Sequence, residues 1–211
     1  MNTPTACPLL AALLIPDPDF GDVMITHIDL CSLALIKIGA GGITSFDDGT
    51  VEAQVAATIY PIVRDSVLSV HPWNFATTQK IIPKLSQRPI ADYQNAFQLP
   101  PDCLRVLSAG SGGRGRGLTY KIHGKQVLTD FDDVTITYIY RAPESVYPPF
   151  FNLALISRLA AEFCIPLTDS TSRWQGLQKV AEDELRRAKL CDAQEDTPPG
   201  FLEFNLVESR F

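Results

Sequence analysis

Val134-Thr135-Ile136-Thr137-Tyr138-Ile139-Tyr140 alternates from residue to residue. Val134, Ile136, Tyr138 and Tyr140 share one face, and Thr135, Thr137, Ile139 and Arg141 share the other. Alternation among β-branched and aromatic residues predicts a strand, because successive side chains of an extended backbone point to opposite faces. Upstream, Ile81-Ile82, Ala96–Leu99, Cys103–Ser108, Leu118–Ile122 and Gln126–Thr129 are short, β-prone and separated by Pro, Gly and Asp. His123-Gly124-Lys125 reads as a hairpin turn. Residues 80–141 therefore predict a β-rich insert, a small antiparallel sheet of about five strands.

On either side the period changes to that of a helix. Pro148-Pro149 opens a helix predicted over 148–164, with Phe151, Leu155, Leu159 and Phe163 on one stripe and Pro166 as its breaker. Thr168, Asp169 or Ser170 caps a last helix over 169–193, with Trp174, Leu177, Val180 or Ala181, Glu184 or Leu185, and Ala188 on its stripe. Before the insert, Thr26 and Asp29 form a capping-box-like start for a helix over 26–39, ended by Gly39. Thr50 opens another over 50–70, kinked at Pro61, with Val51, Val55, Ile59, Ile62, Val63, Ser66 and Val70 predicted as its core face. It stops before His71-Pro72. The predicted fold class is α+β: a bundle of about four helices, an inserted antiparallel sheet and an extended C-terminal arm. Residues 1–24 read as a leader, partly disordered, 25–193 as the folded domain and 194–211 as the arm.

The chain has 211 residues, 45% of them hydrophobic and 20% charged, which is ordinary for a globular protein and excludes wholesale disorder. Its 18 Lys and Arg against 24 Asp and Glu give a net charge of −6. That balance argues against a protein that wraps nucleic acid, since such affinity comes from neutralised phosphates. Five scattered cysteines form no C-x-x-C pair, and the three histidines carry no metal-binding spacing, so neither a metal nor a cofactor is expected. No apolar run reaches the ~18 residues of a membrane span, and no membrane association is expected.

Candidate chemistry is sparse. Gly110-Ser-Gly-Gly-Arg-Gly115 matches G-x-G-x-x-G literally, but a strand-like segment follows where a dinucleotide site needs a helix N-terminus. Five glycines among the eight residues Gly110–Gly117 predict a loop disordered in the free subunit, carrying Arg114 and Arg116 toward phosphates or another protein. In His71-Pro-Trp-Asn-Phe-Ala76, Trp73 and Phe75 read as plugs between helices and sheet, and Trp174 as a core residue of the last helix. Pairs such as Asp47-Asp48 and Asp132-Asp133 sit in turn positions, where Asp serves the backbone.

Several segments together resemble the tail tubular protein A (head-to-tail adaptor) family of tailed bacteriophages, prophages and gene transfer agents. They are Leu30–Gly39, Ile43–Asp48, Tyr60–Asp65, His71–Ala76, Phe97–Val106, Val134–Tyr140 and Asn152–Glu162. The likeness spans about Ile25 to Ala193, and its motifs are structural rather than chemical. It implies a non-enzymatic virion protein at the head–tail junction that forms a homo-oligomeric ring, typically dodecameric. In such a ring the helices form the wall, the β-rich part faces a tail or nozzle protein, the C-terminal segment grips the portal protein, and double-stranded DNA passes with transient, non-specific contact.

On that reading Phe201, Phe204, Leu206 and Phe211 are the portal-docking anchors of the arm, and Arg114 and Arg116 form a loop facing the channel or the tail. The alternative is a virion-associated cell-wall or polysaccharide hydrolase, for which Glu162 and Asp169 are the only helix-associated acids to nominate. A regulatory DNA-binding module is a third possibility, opposed by the negative charge and the absence of a basic recognition helix.

Overall fold

The computed structural model describes residues 25–195, so the leader and nearly all of the arm lie outside the described residues. The fold is α+β, with four α-helices and two three-stranded antiparallel sheets. Helix α1 (His27–Lys37) starts on the expected reciprocal cap: Asp29 N donates to Thr26 Oγ1 at 3.3 Å and Thr26 N to Asp29 Oδ2 at 2.9 Å. Gly39, at φ +80°, ends it in a Schellman turn, with Ala40 N donating to Leu35 O and Gly39 N to Ile36 O. Helix α2 (Val51–Val70) is capped by Thr50, whose hydroxyl accepts from Ala53 N, and it continues through Pro61.

Helix α3 (Pro149–Thr168) corrects the predicted end at residue 164, because Pro166 sits inside its last turn. One missing N–H there leaves only the Glu162 carbonyl without its helical donor. The turn still closes through Asp169 N to Ile165 O and Thr168 Oγ1 to Cys164 O. Asp169, at φ +49°, terminates the helix. Helix α4 (Thr171–Glu195) follows, with Ser170 Oγ accepting from Arg173 N.

Helix α3 is the axis of the helical layer: α1, α2 and α4 all pack on it, and ten of its side chains are buried, including Phe151, Leu155, Leu159 and Phe163. It is the one described helix long and apolar enough to cross a membrane. Most of its apolar side chains are buried in the helical core, against the other three helices and the cluster of Trp73, Phe75 and Tyr147, while Leu153 and Ile165 are exposed.

The face predicted for α2 holds at Val63, which is buried, and at Val55 and Ile59, which pack partly on the core, and is corrected elsewhere. The helix buries Ala53, Ala56, Tyr60, Val63, Val67 and Leu68, while Val51, Ile62 and Val70 are exposed. The small side chains let α2 approach the bundle closely, an advantage that a count of large apolar residues does not register.

The single predicted sheet is in fact two. Strands β1 (Thr77–Ile81), β6 (Thr135–Tyr140) and β3 (Cys103–Gly110) form one, in the order β1-β6-β3. Strands β2 (Asn95–Gln98), β5 (Gln126–Thr129) and β4 (Lys121–His123) form the other, in the order β2-β5-β4. The insert thus begins at Thr77, and the expected strand over 118–122 shrinks to β4. Gly124-Lys125 turns β4 into β5, with His123 opposite Gln126, as the hairpin reading expected.

Two cores result. Ile139 and Ala142 join the helical core around Leu35, Leu68, Trp73 and Phe151. Val134, Ile136 and Tyr138 join a second core between the sheets, with Phe97, Val127 and Ile82. The alternation of β6 is therefore a division of labour between two hydrophobic layers.

A polar joint locks the layers. Tyr60 OH donates to Glu144 Oε1 at 2.7 Å, Arg64 reaches the same oxygen at 3.4 Å, and Arg141 clasps Asp65 at 2.6 Å. Burial opposes ionisation of Glu144, but the Tyr60 hydroxyl, its own backbone N–H and the Arg64 guanidinium outweigh it and hold the carboxyl below its usual range. Burial, with Glu144 nearby, pushes the Cys31 thiol up to about 12, so it packs as a neutral side chain.

Ile139→Ala should cost about 2–5 kcal/mol in urea unfolding, whereas Ile62→Ala on the exposed face of α2 should stay within about 0.5 kcal/mol. Because the folded pKa of Glu144 is depressed, its contribution is present above the unfolded carboxylate pKa of ~4.3 and is lost as pH falls below it. Glu144→Gln should remove about 1.5–3 kcal/mol at neutral pH and flatten the acid limb of a stability–pH curve.

Candidate functional site

Two surfaces carry the residues singled out by sequence. The first is the Gly-Arg loop between β3 and β4. It is not disordered: Asp133, just before β6, holds it, accepting from Ser111 Oγ and from Gly112 N, both at 2.7 Å. These two donors hold the Asp133 carboxyl below its usual range. Ser108 Oγ, at 2.7 Å, and Thr137 Oγ1, at 3.2 Å, both donate to Gly115 O, and Leu118 N returns the chain to Ala109 O.

The glycines make this closeness possible. A Cβ on Gly110 would lie 2.0 Å from the Arg114 carbonyl oxygen, and one on Gly115 would lie 2.5 Å from Thr137 Oγ1. The entropic cost of ordering glycine is offset here by side chains that satisfy its backbone, which the composition of the loop could not reveal.

The folded loop closes over the face of the first sheet and leaves a crevice of about 890 Å³ lined by Gln79, Ser108, Thr137, Arg114 and Arg116. Both arginines are exposed, and neither pairs with a carboxylate among the described residues. The crevice can accept an anionic group through two free guanidinium forks and neutral hydroxyl and amide donors.

The second surface lies where the arm leaves the domain. Asp192, 2% exposed, accepts from Asn74 N at 3.0 Å and faces His71 Nε2 at 3.1 Å, and its carbonyl accepts from Asn74 Nδ2 at 2.8 Å. The end of α4 is thus pinned to the turn joining α2 to β1. Nothing in the local pattern marked Asp192, since an acid near the end of a charged helix ordinarily faces water. Only the return of α4 to residues 118 and 121 positions earlier explains it.

Trp73 is fully buried there, its indole N–H donating to Val67 O at 3.0 Å. Its ring and that of Phe75 meet Phe151 edge-on at 5.0 and 4.9 Å, and Tyr147 completes the cluster. Trp174 is partly buried against the helical core.

The acids nominated for hydrolysis are not brought together. Glu162 is engaged by Arg158 one turn before it, in a groove with Ile59 and Ile62, whereas Asp169 forms the left-handed end of α3. Among the described residues no group of three His, Cys, Asp or Glu could hold a metal ion. The anchors Phe201, Phe204, Leu206 and Phe211 lie outside the described residues.

Compared with known proteins, the chain matches no family model and no curated sequence.

Asp133→Asn should release the loop. Amide exchange over residues 110–117 should rise by about tenfold or more, while the helical core exchanges as before.

Proposed function

We propose that the protein is a structural virion protein and not an enzyme: a ring-forming head-to-tail adaptor that joins the portal to a tail or nozzle protein and lines the DNA exit channel. The observation that carries this reading is a segregation of charge between two stacked layers. Over 77–142, the β layer, nine Lys and Arg face five Asp and Glu, for a net +4. Over 25–76 and 143–195, the helical layer, eight face thirteen, for a net −5.

An acidic helical layer suits the wall of a conduit, along which DNA slides without sticking, because like charge repels the phosphate backbone. A basic β layer with Arg114 and Arg116 free suits brief phosphate contact or an acidic surface on the next protein of the tail. The family resemblance of the segments from Leu30 to Glu162 supports the same assignment, with the arm bearing Phe201, Phe204, Leu206 and Phe211 as the portal anchor. Apolar side chains at such spacing fit pockets on a partner better than open water.

Mass photometry of the protein alone and mixed with the portal of the same virus tests this. Twelve copies of 23.2 kDa give a species near 280 kDa, alone or added to the portal. A monomer in both conditions overturns the reading. Arg114→Ala with Arg116→Ala should leave thermal unfolding unchanged and reduce tail joining or DNA retention in assembled particles.

A further inference from the structure

Strand β1 has one bare side. β6 pairs with it from Thr77 opposite Ile139 to Ile81 opposite Thr135, and among the described residues no strand pairs its outer edge. Along such an edge every second N–H and C=O points away from the sheet. The remaining edges are blunted. β2 is flanked by the bridge of Lys84 with Phe97, where Leu85 N donates to Ala96 O and Gln98 N to Pro83 O. β3 is broken by two register shifts, and β4 has three residues. β1 instead offers five residues in unbroken register, with Ile81 72% exposed.

The chain leaves the domain near the start of this strand. Asp192 is bonded to Asn74, three residues before β1, so Glu195 lies within a few residues of where the strand begins. Sixteen residues follow, 196–211. The first five, Asp196-Thr-Pro-Pro-Gly200, can span ~17 Å at ~3.3 Å each, and the prolines forbid a continued helix. The next six are Phe201-Leu-Glu-Phe-Asn-Leu206. Leu202, Phe204 and Leu206 alternate with Glu203 and Asn205, the period of a strand and not of a helix. Lys80, exposed on β1, has no carboxylate partner among the described residues, so Glu203 on an added strand would complement it.

We propose that residues 201–206 pair with the bare edge of β1 in the same chain, as a fourth strand of the first sheet. Backbone bonds hold the strand and the Leu202–Phe204–Leu206 row adds cover for the exposed Ile81, the combination of main-chain bonds and side-chain contact that serves strand addition in general. The arm is then stowed on its own subunit and reopens the edge when another surface takes it. This pairing needs neither ring nor portal, so it stands or falls separately from the adaptor reading.

Amide hydrogen exchange on the full chain, diluted until monomeric, provides the test. Leu202→Asp combined with Phe204→Asp should raise exchange of the outward-facing β1 amides by about tenfold, while Phe204→Leu leaves them protected. Lys80→Glu should weaken protection, and Glu203→Lys added to it should restore protection. Unchanged β1 exchange in the double Asp variant overturns the proposal. So does protection that appears only as concentration rises, which would place the arm on a second copy instead.

Discussion

The structure depends on β6 burying apolar side chains on both of its faces. Val134, Ile136 and Ile139 are fully buried and Tyr138 nearly so, yet they serve different cores. Ile139 closes the helical layer from below, and Ile136 and Tyr138 roof the space between the sheets. A strand with one wet face would leave two modules joined by a linker. With apolar side chains buried on both faces, β6 is a wall that the helical and β layers share, which favours one cooperative unit.

Around that wall, polar contacts set orientation. Arg141 and Glu144, just past β6, reach Asp65, Arg64 and Tyr60 on α2, so the exit from the sheet is tied to the helix that precedes the sheet. Asp192 does the same from the other end, holding α4 to the turn that enters β1. Both ties bridge segments far apart in sequence. The Glu144 and Asp192 contacts are largely buried, where an ionic hydrogen bond is weakened little by solvent, whereas the Arg141–Asp65 pair is exposed and contributes less. The layers therefore keep a defined geometry, and the Gly-Arg loop and the root of the arm are held at fixed places on it.

Placement of charge follows from the same layering. A net charge of −6 over the whole chain describes neither layer. The described residues divide into a helical part of −5 and a β part of +4, the remaining −5 lying in residues 1–24 and 196–211, and most cations without a carboxylate partner among the described residues, Arg114 and Arg116 among them, lie on the β part. For a protein proposed to stand between a DNA-filled head and a tail, two ends of opposite sign allow one to repel the duplex and the other to engage a partner.

The sequence by itself determined the elements: four helices, the β-rich insert, the Thr26–Asp29 cap, the Gly39 stop and the Gly124 hairpin. Each is a local matter of period, cap or turn, decided within a few residues. Tertiary structure decided that the buried face of α2 centres on Ala53, Ala56 and Leu68 and leaves Val51 and Ile62 outside, where small side chains let helices pack closely. It also kept α3 helical through Pro166, split the strands into two sheets, and ordered the Gly-Arg loop on Asp133, Ser108 and Thr137. These outcomes rest on contacts between residues distant in the chain. The energy that selects among locally equivalent choices comes from burial and hydrogen bonds that exist only once those distant segments have met.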